Sequence, residues 1–269
     1  VIGDGSRVGP HAVIHRGVVI GRDNRIGPGA VLGGDPQDLR FGGEGGRLTI
    51  GDRNVIREYC TISRGTPGGR GETRIGNDNY IMSCVHIGHD CRVGDGTVLT
   101  HGVGLAGFVE VEDRAVLGGM AGVHQFARVG RLAMVGGMAK VTQDVPPFLL
   151  ASGNPARVHG LNVVGLRRAG VAPAARTRLK RAFRLVYREG LNLSQALERI
   201  EEELLQGDGE ACGELLHFVR FLRESRRGIT GPASRLELEA PQAAEGVPGR
   251  QGAPGAGAGT GAGMGADEA

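Results

Sequence analysis

Tryptophan is absent from this 269-residue chain, and aromatic residues make up only 4% of it. Together with 50 glycines, that composition excludes a helical bundle, and the glycines follow no collagen-like third-position period. A charge excess is missing too: a formal net charge of +3 makes no case for nucleic acid as a partner. Cys60, Cys84, Cys91 and Cys212 are scattered without a CxxC pair. They are expected to be small buried hydrophobes in a reducing compartment, not a disulfide or zinc framework. No apolar run approaches the roughly 18 residues of a membrane span, and no signal peptide opens the chain. A cytoplasmic protein without stable membrane insertion is the expectation. Val1 already lies within a repeat, so an incomplete N-terminus is expected as well.

What the chain does have is a beat of six. An aliphatic residue recurs at Ile75, Ile81, Ile87, Val93, Leu99, Leu105, Val111, Leu117, Val123, Val129, Val135 and Val141. Earlier series (Ile2, Val8, Ile14, Ile20, Ile26, Leu32 and Ile50, Ile56, Ile62) keep the same spacing. A helix with 3.6 residues per turn cannot hold that beat on one face. A parallel β-helix can, because each hexad supplies one short strand and a corner, and stacked coils bury the aliphatic column. The fold expected is an all-β left-handed parallel β-helix over 1–147, with loops projecting near 35–48 and 66–73. Glycine after the aliphatic residue is expected to supply corner dihedrals. A connecting segment, 148–172, leads to a helical domain over 173–229 with helices from Pro173, near Ser194–Leu205 and near Glu210–Arg223. There Arg176, Lys180, Arg184 and Arg188 form a basic stripe at four-residue spacing. The Gly/Ala/Pro-rich tail, 230–269, is expected to be disordered.

Three hexads per coil, the winding of known left-handed hexapeptide helices, place residues eighteen apart in one column, about 4.8 Å from each other. His89 then stacks beneath Gly107 and Gln125, His86 beneath Gly104 and Gly122, and His124 joins the column of Gly88 and Ala106. Each imidazole has a small vertical neighbour. His89 beside Asp90 suggests a general base whose tautomer the carboxylate holds, and Gly107 could offer a backbone N–H to an oxyanion. The plain alternative is polar decoration of a prism, which is the reading kept for His11, His15, His101, His159 and His217.

The stretches PQDL (36–39), IGDRNVIRE (50–58), VHIGHDCRVG (85–94), LAG (105–107), GGMAGVHQF (118–126), QDVPPF (143–148), GLN (160–162) and ESRRGI (224–229) carry a resemblance. The chain resembles the acyl-ACP:UDP-N-acetylglucosamine O-acyltransferases of lipid A synthesis. That resemblance implies a homotrimer with sites between adjacent prisms, no cofactor, no metal, and transfer of a 3-hydroxyacyl group from acyl carrier protein to a sugar 3-hydroxyl. It implies catalytic roles for His89, Asp90 and Gly107, and substrate contacts at His86, His124 and Gln125. Gln37, Asp38 and Arg40 match the glucosamine-side loop, Asn162 and Arg168 match contacts to donor or nucleotide, and Gly137 matches the floor of the acyl groove. The basic stripe suits acidic acyl carrier protein. Arg40 stands where the family usually has lysine, Ser63 and Phe108 stand for histidines, and Val164 and Ala169 replace polar or charged residues. A 3-amino sugar nucleotide therefore stays open as acceptor. Two rivals of other classes are a gamma-type zinc carbonic anhydrase-like protein and an inactive assembly protein.

Overall fold

In a computed structural model, the structure describes residues 1–204 and 209–234. The hexads wind into a left-handed parallel β-helix with three sheets. One sheet has nine strands, from Arg7–Val8 to Arg157–Leu161; a second has seven, from Val13–Ile14 to Lys140–Val141; a third has six, from Val18–Ile20 to Arg128–Val129. The second residue of nearly every strand is the aliphatic of the beat, and from Ile20 to Val141 these side chains are buried almost completely. Register follows the eighteen-residue winding: His86 pairs with Gly104, and Gly104 with Gly122.

The glycines after the aliphatic residues do not supply the turn, contrary to expectation. Left-handed dihedrals fall two residues later and mostly on side-chain-bearing residues, including Asp90 (φ 60°), Phe108 (φ 64°) and Phe126 (φ 66°). The glycines instead permit close approach. A Cβ on Gly118 would sit 2.3 Å from Gly137 N, and one on Gly88 would sit 2.9 Å from Gly107 N, in each case the next coil's backbone.

Both interruptions leave the prism at the corner between the seven-strand and six-strand sheets: residues 35–46 after Val31–Gly34, and residues 64–71 after Thr61–Ser63. The expected connecting segment is more structured than a linker. Leu149–Ser152 and Arg157–Leu161 form an antiparallel hairpin that closes the nine-strand sheet, and α1 (Val163–Arg168) follows. The helices α2 (Pro173–Tyr187), α3 (Leu193–Leu204) and α4 (Gly209–Arg223) then pack with α2 as the shared member. Leu179 and Phe183 of α2 face inward, while Lys180, Arg184 and Arg188 of the basic stripe are exposed and Arg176 is half-buried. His217 of α4 donates from Nε2 to Glu112 of the prism at 2.8 Å, and Arg128 lies 4.0 Å from the Phe221 ring centroid.

Residues 230–234 are not the start of a loose tail. Thr230 N donates to Asp144 O and Ala233 N to Val158 O, both at 2.8 Å, and Thr230 and Ala233 are buried. The remaining tail expectation, 235–269, lies outside the described residues. The cysteines also divide: Cys60 and Cys91 are buried, but Cys84 is exposed at a corner, and the Cys212 side chain lies outside the description.

A polar ladder interrupts the aliphatic core. Asn54 Nδ2 donates to Asn24 Oδ1 at 3.0 Å and to Gly76 O at 2.9 Å, while Asn54 Oδ1 accepts from Asn79 N at 2.9 Å. All three asparagines are buried. Asn54→Ala strands a buried N–H and a carbonyl, each costing about 1–3 kcal/mol unless repaired. The expected outcome is a lower denaturant midpoint with an unchanged slope, read by far-UV circular dichroism; an unchanged midpoint would count against the ladder as a stabilising element.

Candidate active site

His89 sits at the corner between the seven-strand and six-strand sheets, just after the strand His86–Ile87. The coil above brings Gly107 against the flat of its ring: a Cβ there would lie 2.6 Å from His89 Nε2. Only glycine leaves that space open. The neighbouring turn is held by Phe108 N donating to His89 O at 2.9 Å, and Gly107 N has no backbone acceptor among the described residues. Gly107, with an amide that has no such acceptor, therefore stands directly against Nε2 of His89.

The other ring nitrogen, Nδ1, bonds Asp90 Oδ2 at 2.9 Å. Asp90 is fully buried, and its carboxyl oxygens also accept from Thr66 N, Thr66 Oγ1 (2.7 Å) and Arg70 N (2.7 Å). Its carboxyl group serves as an acceptor throughout. The shared proton accordingly belongs to Nδ1, and Nε2 keeps its lone pair. Sequence reading missed Thr66 and Arg70. The signal available was the fold itself, since a carboxyl group at a corner next to an insertion needs donors that the hexads do not supply.

His89 is 6% exposed, yet its ring borders a cavity of ≈ 830 Å³. Gln37, Asp38 and Arg40 of the first loop, together with His86, Gly107, His124 and Gln125, line the same cavity. Gly104 and Gly122 form a bare floor beside His86, with nothing within 4 Å of where a Cβ would stand. His86 Nδ1 lies 2.8 Å from Thr61 Oγ1, and burial pushes its pKa below the usual 6.5, with His89 adding to the effect. Arg40 bonds the half-buried Asp38 carboxylate through Nε and Nη2 and lowers its pKa to about 2. The first loop thus presents a fixed anion beside a guanidinium that is largely in solvent.

Three expected residues are elsewhere. Gly137 lies at the opposite edge of the seven-strand sheet, at its corner with the nine-strand sheet. Asn162 is committed to structure, since its Oδ1 accepts from Gly165 N at 2.9 Å to cap α1 and its amide donates to Leu132 O at 3.0 Å. Arg168 is exposed near the end of the same short helix. None of the three borders the His89 cavity of its own prism.

Comparison with known proteins bears on family and fold. The family model for UDP-N-acetylglucosamine O-acyltransferase, domain 2, matches residues 144–230, and bacterial transferase hexapeptide repeats match 1–34 and 72–107. An acyl-[acyl-carrier-protein]–UDP-N-acetylglucosamine O-acyltransferase of Burkholderia ambifaria is 48% identical over 210 residues, which are 78% of this chain and 80% of that one. The chain belongs to the UDP-N-acetylglucosamine O-acyltransferase family. A similarly named protein of Verminephrobacter eiseniae is 48% identical over 81% of this chain and 82% of its own. The solved structure of LpxA from Acinetobacter baumannii matches with a TM-score of 0.82 at 38% identity, covering 85% of this chain and 87% of that one. The UDP-N-acetylglucosamine acyltransferase of Francisella novicida gives 0.81 at 38% identity, with coverage of 90% and 89%.

In this family member, Gly107→Ala is a sharp probe because only one methyl group is added. Its backbone does not require glycine, as φ there is not in the left-handed region. The expected outcome is a native thermal transition with kcat reduced at least about 100-fold, the scale on which misplacing a reacting group is felt. Activity within a few-fold of the parent would show that nothing reacts at this point.

Proposed function

We propose that the chain transfers a 3-hydroxyacyl group from acyl carrier protein to the 3-hydroxyl of UDP-N-acetylglucosamine, the first step of lipid A synthesis. The observation that carries this reading is the close approach of Gly107, whose amide has no backbone acceptor among the described residues, to His89 Nε2, while Asp90 bonds Nδ1. Nε2 takes the proton of the sugar hydroxyl as its oxygen attacks the thioester carbonyl. The amide of Gly107 donates to the oxyanion of the tetrahedral intermediate. Collapse expels the carrier's thiolate, which recovers the proton from the imidazolium. A neutral His86 beside the glycine floor suits the substrate, and Gln37, Asp38 and Arg40 face the acceptor from the loop side.

The site is completed by neighbouring copies in a homotrimer. One observation in favour is the separation of Gly137, Asn162 and Arg168 from His89 on a single prism. Another is the outer face of the nine-strand sheet, where Val55, Tyr80, Val98, Val116, Met134 and Leu150 stack in register. Head-to-tail contact through unlike surfaces closes into such a ring. Native mass spectrometry should give three chains of 28.0 kDa each; a fully active monomer would refute the shared site. The exposed basic stripe on α2 offers acyl carrier protein an opposite field to approach.

Metal analysis of the purified protein separates the acyl-transfer reading from zinc chemistry of the gamma-carbonic-anhydrase kind: stoichiometric zinc needed for activity would overturn the former. An inactive assembly protein is separated from an enzyme by His89→Asn. In acyl transfer the variant should lose at least about 100-fold, the low end for a positioned base; an unchanged rate would reject His89 in that role. Supplying acyl carrier protein thioesters with UDP-N-acetylglucosamine or its 3-amino analogue, followed by mass analysis, decides between hydroxyl and amine acceptors. Acylation of the amine alone would replace the O-acyl reading by N-acyl transfer.

A further inference from the structure

The inserted loop at 64–71 does more than leave the prism; it folds back over Asp90. Gly69 touches down so closely that a Cβ there would lie 2.8 Å from Asp90 Oδ2 and 2.7 Å from the Phe108 ring. The loop is closed on itself by Gly69 N and Gly71 N, which both donate to Thr66 O. To the bonds that Thr66 and the Arg70 amide make with Asp90, the Arg70 side chain adds a second attachment that reaches the coil above. Arg70 Nη1 donates to Asp90 O at 2.7 Å, Nη2 pairs with Glu110, and the guanidinium carbon lies 5.8 Å from the Phe108 ring centroid. Phe108 in turn meets His89 edge-on at 5.4 Å and stacks on Phe126 at 4.8 Å. One guanidinium therefore bridges the loop, the coil carrying the dyad and the coil above it.

We propose that Arg70 is a positioning residue for the His89–Asp90 pair, buckling the 64–71 loop onto the prism so that the donors of Asp90 stay in place. It touches no substrate. Without the buckle, Thr66 and the Arg70 amide lift away together, water reaches the buried carboxyl group, and the His89 ring loses its fixed orientation. Glu110 holds the guanidinium from its far side. The inference rests on the reading of His89 as the base. An ordinary surface ion pair would affect neither stability nor turnover noticeably.

Steady-state kinetics of the full chain, with acyl carrier protein thioester and UDP-N-acetylglucosamine, test the idea. Arg70→Ala should lower kcat by about tenfold or more, the loss expected from a modest misplacement of a reacting group, with both KM values within about twofold of the parent. Arg70→Lys, which keeps one cationic donor, should recover part of that loss. Because the partners act as one unit, Arg70→Ala combined with Glu110→Gln should be no slower than Arg70→Ala alone. If Arg70→Ala does not fold, Glu110→Gln carries the test, with an expected fall in kcat at unchanged KM. An unchanged kcat, a loss confined to KM, or strictly additive losses would overturn the proposal. An active His89→Asn would overturn the dyad reading and this proposal with it. An inactive His89→Asn beside a parental rate for Arg70→Ala would overturn the Arg70 role alone.

Discussion

Adjacent coils of this β-helix are separated by a single strand spacing, and that narrow gap governs everything built on it. A side chain that folds over the coil above must find glycine there, or it collides with backbone. The rule acts throughout the prism, where Gly88 and Gly118 admit the next coil's peptide nitrogen. It acts again at Gly107, where the object admitted is an imidazole. The candidate site is therefore a local use of the packing rule that lets the solenoid form. The base and the amide are near one another because winding forces them to be, with no flexible segment between them, and rigid placement of this kind is what a reaction needs from its scaffold.

The three corners of the prism have diverged in character. One carries both insertions, His89, Gly107, His124 and Gln125. Another, between the nine-strand and seven-strand sheets, is smooth and studded with exposed Tyr59, Met120 and Met138. Between them the seven-strand sheet presents Gly104 and Gly122 as a flat floor. A long apolar substituent could lie along such a floor only if something covered it, and an apolar corner from a neighbouring copy has the right chemistry to do so. The division of labour among corners is thus the physical basis for the proposed trimer: one edge holds the reacting groups, and the other is shaped to be a wall.

Much of this was legible before any coordinates. The six-residue beat, taken with the three-hexad coil of known left-handed hexapeptide helices, places His86 against Gly104 and His89 against Gly107. Periodicity could not report contacts between segments outside it. The donors to Asp90 come from an insertion, so spacing gave no hint of Thr66 or Arg70. The hairpin at Leu149–Ser152 and Arg157–Leu161 and the pairing of residues 230–234 with Asp144 and Val158 depend on chain returning from a distance. The role of the repeat glycines was misread for a related reason. A local argument about dihedrals competed with a non-local one about the coil above, and the non-local one prevails, since Asp90, Phe108 and Phe126 carry the left-handed turns despite their side chains.

Two buried polar systems in the same prism show why the insertion matters. The asparagine ladder draws its partners from within: Asn24, Asn54, Asn79 and Thr97 bond to one another and to backbone of neighbouring coils, although Asn79 Nδ2 finds no partner among the described residues. Changing any rung disturbs the next, so such a ladder tolerates little variation. Asp90 is satisfied largely from outside, by a loop that belongs to no sheet. Its surroundings can be altered through loop residues while every strand keeps its register. A carboxylate held in this way gains an environment that is independent of the core, so the proposed dyad can be tuned without re-engineering the solenoid. That separation explains how a fold with almost no freedom in its coils can still adjust the surroundings of a carboxylate that the proposed mechanism uses.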